Sequence, residues 1–146
     1  MSSIALLLLT LALGAGQAAA PPAGPMRARL SPLPTDLAMQ ETIAGLGAAT
    51  STLAGTTLTV EGTYQGLKSP ATVVRVFDSA QPGLRGPLVG EFASGGGTRG
   101  TFKGTVTLTR EQAAAYAKGL LYVQLHSEKA PDGNLWGWLM AAKGQR

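Results

Sequence analysis

The chain of 146 residues and 14.9 kDa suits one compact domain preceded by a short leader. With no Cys and one His it lacks the residues for a disulfide framework, a thiolate metal site, a Cys nucleophile or a multi-His centre within one chain. The 45% hydrophobic content against 14% charged residues argues against disorder. The net charge of +4 comes from scattered basic residues, with Arg27 and Arg29 the densest pair, so no nucleic-acid footprint is expected.

Ile4 to Leu13 is an uncharged apolar run followed by Gly14, Ala15, Gly16, Gln17 and three alanines. This is the h-region and small-residue exit of a signal peptide, predicted over residues 1–18, with cleavage between Ala18 and Ala20. The run is shorter than the roughly 20 apolar residues of a membrane span, so no stable span is expected once the leader is removed. Residues 19–46 read as an irregular segment with a possible edge strand near Arg27 to Leu30. Pro32 and Pro34 argue against a helix or a central strand there.

The pattern then changes to short alternating runs, predicting a β domain over residues 47–142. Strands are expected at Ala48–Leu53, Thr57–Tyr64, Thr72–Asp78, Leu88–Phe92, Gly100–Leu108, Leu121–Ser127 and Asn134–Met140, separated by Gly, Pro, Asn and Asp. Thr109 and Gln112 form a capping box for one short helix over Arg110 to Lys118, with Gly119 at its stop. Such an order predicts an all-β fold: an antiparallel β-sandwich or barrel-like Greek-key domain with one short helix. Gly62-Thr-Tyr-Gln-Gly66 and Gly100-Thr-Phe-Lys-Gly104 share a faint echo, too short to define a repeat. Ser94 to Thr98 is a glycine-rich turn without the ending of a phosphate-binding loop.

Several pieces in order carry a family resemblance. They are Thr57-Leu-Thr-Val-Glu-Gly-Thr-Tyr-Gln-Gly-Leu67, Ser69-Pro-Ala-Thr72, Gly86-Pro-Leu-Val89, Gly104-Thr-Val-Thr-Leu-Thr109, Gly119-Leu-Leu-Tyr-Val-Gln-Leu-His-Ser127 and Pro131-Asp-Gly-Asn-Leu-Trp-Gly137. Together, from about Gly47 to Met140, they resemble the CHRD domain, named for chordin and common in exported bacterial proteins. The resemblance implies an all-β fold, export to the periplasm or beyond the cell, and a binding or scaffold role. Family members usually carry an A-H-I-H stretch where this chain reads Val74-Arg75-Val76-Phe77, and Glu and Arg where it has Asn134 and Trp136. A metal or acidic-site role therefore does not carry over, and no metal or cofactor is expected.

The candidate surface is built from what stands at those positions. Arg75, Phe77, Tyr122, Gln124, His126, Trp136 and Trp138 are the predicted ligand or partner surface, with a protein or an envelope component as partner. Strand alternation puts Tyr122, Gln124 and His126 opposite the aliphatic Leu121, Val123 and Leu125. His126, with Glu128 and Asp132 nearby in sequence, makes only a loose ligand set, and a hydrogen-bonded structural role is the simpler reading. Trp136 and Trp138 share a face opposite Leu135 and Leu139, marking either a contact surface or one covered by another segment. Arg75 is expected to stack on Trp136. No serine triad or carboxylate pair is singled out, so a non-catalytic module is expected. The alternative is a metal-binding or enzymatic protein related to the His-bearing members.

Overall fold

The computed structural model describes residues 24–33 and 36–142. The predicted leader lies outside the described residues. The elements run β1 (Met26–Pro32), a 3-10 turn (Leu37–Met39), β2 (Leu46–Ala54), β3 (Thr57–Gln65), β4 (Ala71–Asp78), β5 (Leu88–Ala93), β6 (Gly100–Thr107), α1 (Arg110–Ala117), β7 (Leu121–Ser127), β8 (Ala130–Trp138) and β9 (Met140–Ala141).

All strand pairs are antiparallel, in the order β5-β4-β7-β8-β1-β2-β3-β6, with β9 beside β1. The two ends of this sheet meet at a single bridge between Ser94 and Phe102, so the sheet curls into a nearly closed barrel. One face of each strand fills the barrel, with Leu30, Leu58, Val60, Val74, Val123 and Leu135 fully buried in one apolar cluster. Period-two alternation in the sequence is the signature of this arrangement, because each strand has one face inside and one outside.

The short echo in the sequence has a structural meaning. β3 and β6 pair so that Gly62 opposes Phe102, Thr63 opposes Thr101 and Tyr64 opposes Gly100. Each aromatic side chain thus lies over a glycine of the other copy: a Cβ on Gly62 would fall 2.5 Å from the tip of the Phe102 ring, and one on Gly100 would fall 3.0 Å from the Tyr64 hydroxyl. Phe92 of β5 repeats the device across the seam, its ring resting where a Gly104 side chain would be. Bulky rings over bare backbone let the sheet bend sharply and still leave no void.

The helix closes one end of the barrel. Thr109 caps it with the reciprocal bonds to Gln112, Thr109 N–H to Gln112 Oε1 at 2.9 Å and Gln112 N–H to Thr109 Oγ1 at 3.1 Å. Tyr116 is its fully buried residue, and its hydroxyl lies 2.9 Å from Ser51 Oγ on β2.

Two expectations are corrected. The strand near Arg27 to Leu30 is not at an edge: β1 lies inside the sheet, pairing with β2 through Met26–Leu30 and with β8 through Ser31 and Pro32. It tolerates Pro32 because pairing with β2 ends at Leu30 and the bond to β8 beside it is made by the Leu33 N–H. β8 begins at Ala130 rather than Asn134, because a tight connection pairs Ser127 with Ala130 at once. Pro131, Asp132 and Gly133, which resemble turn punctuation, are instead strand residues beside an irregularity in the β7–β8 register.

Candidate functional site

β7 is the centre of the site. Leu121, Val123 and Leu125 face the barrel core, and Tyr122, Gln124 and His126 face outward, yet all seven residues of the strand are buried. The outward side is therefore covered, and two connections provide the cover. Leu33 and the segment from Asp36 to Ala44 form one, held by Leu33 N–H to the Asn134 carbonyl at 3.1 Å and by Ala44 N–H to Asn134 Oδ1 at 3.2 Å. The β4–β5 loop is pinned by Gly86 N–H donating to the Tyr122 hydroxyl at 3.2 Å. Between these connections and the sheet lies a cleft of about 570 Å³.

Strand register fixes which side chains stand together. Glu91, Arg75, Gln124 and Trp136 form one row across β5, β4, β7 and β8, and Phe77, Tyr122 and Trp138 form the next. Arg75, Phe77, Tyr122, Gln124 and His126 line the cleft. Trp136 and Trp138 do not; they extend its aromatic edge. Phe77 and Tyr122 stack with centroids 5.0 Å apart, Tyr122 meets Trp138 at 4.9 Å, and the two indoles meet edge to face at 4.6 Å. Each indole is half-buried, mostly against its aromatic neighbours. The Trp138 indole N–H is buried without a hydrogen-bond partner.

The expected stacking of Arg75 on Trp136 is replaced by an ion pair. Arg75 Nε lies 2.7 Å from Glu91 Oε2, on the strand flanking β4 away from β8, while the whole width of β7 separates Arg75 from Trp136. A charge in hydrogen-bond reach outcompetes a ring two strands away, although both partners are partly exposed and the pair contributes only about 0–1 kcal/mol.

Asp132 joins the cleft, as do Leu33, Asp36, Met39 and Arg85, four residues that strand alternation gives no reason to select. They arrive on the covering connections, so only the folded position of those loops brings them in. Glu128 is not among the residues lining the cleft. Asn134, where the family's acidic residue would stand, is fully buried and tied to Ser127 Oγ at 2.9 Å.

His126 is 3% exposed, and its Nδ1 donates to the Pro131 carbonyl at 2.8 Å. A carbonyl only accepts, so the neutral ring carries its proton on Nδ1 and leaves Nε2 as a lone-pair acceptor. That Nε2 is buried without a partner. Burial pushes the imidazole pKa below its usual 6.5, helped by the positive charge of Arg75, while the Pro131 bond, Asp132 and Glu91 oppose the shift. The unfolded chain therefore binds this proton more readily than the folded one. Stability is full above the unfolded value of 6.5 and is lost as the pH falls from there through the folded pKa. Urea melts between neutral pH and the onset of carboxylate titration, at about pH 4, should show this slope. His126→Gln should flatten it.

Among the described residues, no group of three or more His, Asp or Glu side chains is placed to hold a metal. The site instead offers an aromatic wall, the Gln124 amide and charges of both signs. A family model described as CHRD domain matches residues 27–139, from the second residue of β1 through the whole of β8. The chain belongs to the CHRD domain family. No curated protein and no solved structure shows a significant match. CHRD domains are generally binding or structural modules, typically extracellular or exported. No helix among the described residues is long and apolar enough to cross a membrane.

Proposed function

We propose that this CHRD protein is an exported, non-catalytic binding module whose ligand site is the cleft over β4 and β7. The observation that carries this reading is the cleft itself, where Arg75, Tyr122, Gln124, His126 and Asp132 converge beneath two covering connections. The aromatic edge of Tyr122, Trp136 and Trp138 supports the same reading, since rigid rings give contact area at little entropic cost. A cleft of about 570 Å³ falls within the size range of small-molecule sites.

Two measurements test it. NMR titration of the protein with mixed small metabolites, followed on the His126 ring and the two indole N–H signals, should single out compounds that shift His126. A flat response across chemically diverse mixtures would remove the cleft as a binding site. Export is tested by intact mass of the protein recovered from the periplasm or medium, expected to begin near residue 19. Full-length protein starting at Met1 in the soluble cytoplasm would end that part.

A further inference from the structure

Four charged side chains line the cleft, Arg75, Arg85, Asp36 and Asp132, and Asp36 is engaged in capping the 3-10 turn, where it accepts from the Met39 N–H at 3.2 Å. Arg85 lies on the β4–β5 loop, whose next residue, Gly86, is bonded to the Tyr122 hydroxyl, so a positive charge stands at the Tyr122 end. Asp132 stands at the other end, next to Pro131, whose carbonyl receives the His126 Nδ1 proton. Arg75 lies between, but Glu91 already balances its charge. Arg85 and Asp132, unlike Arg75, make no ion pair among the described residues.

Resting on the ligand-site reading above, we infer that the cleft takes a dipeptide, held by its free ends. Its N-terminal ammonium meets Asp132, and its C-terminal carboxylate meets Arg85. The lengths agree. From Tyr122 to His126 is four residues, about 13 Å at a strand rise of about 3.3 Å. An extended dipeptide spans about 7 Å, and one hydrogen bond of about 3 Å at each end brings the total to the same span. A free amino acid spans about half the length of a dipeptide. Gln124, midway along β7, carries an amide that can donate to and accept from a peptide unit. Leu33, Met39 and Phe77 offer apolar surface for the side chains of the peptide. A neutral sugar would leave the two opposed charges unused, and a simple carboxylate would leave the acidic end unmatched.

The test is calorimetry and NMR on the full chain with the dipeptide Ala-Phe, its N-acetyl form, its C-terminal amide, free phenylalanine and glucuronate. Ala-Phe should bind and shift His126, and blocking either end should weaken binding about tenfold or more. Arg85→Gln should lose that tenfold for Ala-Phe but not for the amide. Asp132→Asn should do so for Ala-Phe but not for the acetyl form. Both positions are exposed, so neither variant threatens the fold. Equal binding of the blocked and free peptides, or tighter binding of phenylalanine, would overturn the inference. If glucuronate or another metabolite shifts His126 while the peptides do not, the peptide inference falls and the ligand site stands; if nothing shifts it, both fall.

Discussion

Gly62→Val is expected to destabilise the domain by about 3 kcal/mol, at the upper end of what overpacking usually costs. The added Cβ would lie 2.1 Å from the Ala48 carbonyl oxygen and 2.5 Å from the Phe102 ring. The ring could swing, but the carbonyl belongs to β2, which is paired with β3 along its whole length from Leu46 to Ala54. Relief therefore requires moving a strand out of register with its neighbour, and the barrel has no slack on that side. Urea unfolding should show a lower midpoint with an unchanged slope. Thr63→Val, one residue away on the exposed face, should stay within about 0.5 kcal/mol of the parent. If Gly62→Val proved as mild as Thr63→Val, Phe102 would not be seated on Gly62 and the account of the paired glycine–aromatic motifs would fail.

Tyr116→Ala should cost about 3–5 kcal/mol, the range for removing a large buried ring. Tyr116 is 0% exposed and is the residue by which α1 plugs the barrel. Its hydroxyl is shared with Ser51, whose Oγ also donates to the Met26 carbonyl at 3.4 Å, so one side chain ties the helix to β2 and β1. Tyr116→Phe keeps the packing and loses only the hydroxyl, for about 1 kcal/mol. Ser51→Ala leaves the buried phenol without its partner and should cost at least as much. A double-mutant cycle of Tyr116→Phe with Ser51→Ala should show coupling. Additive effects would mean that the 2.9 Å contact carries no energy.

Replacing His126 by glutamine, as in the pH experiment, bears on the site rather than the scaffold. Its effect should be visible mainly as a changed pH slope, because the ring's packing is partly retained while its titration is removed.

The alternation of apolar and polar residues along the sequence was sufficient to place the strands at β2 through β7 within a residue or two at each end, and the Thr109–Gln112 box marked the helix. Those features are local: a strand with one face inside a barrel must alternate, and a capped helix must begin with an oxygen acceptor. The same alternation put Tyr122, Gln124 and His126 on one side, and strand register set them beside Arg75 and Phe77. Position in the sheet was decided at a distance. Nothing in Met26–Pro32 says that it lies between β8 and β2, since the partner of a strand depends on backbone hydrogen bonds to segments remote in the chain. The cleft was decided in the same way. Leu33, Asp36, Met39 and Arg85 reach it because two connections fold back over the outer face of β7, and the burial of His126, with its unpartnered nitrogen, follows from that cover. The ion pair of Arg75 with Glu91 likewise required knowing that β5, and not β8, is the strand beside β4. Side-chain periodicity reports which face a residue occupies; which neighbours share that face is set by strand order and loop path, and those exist only in the folded chain.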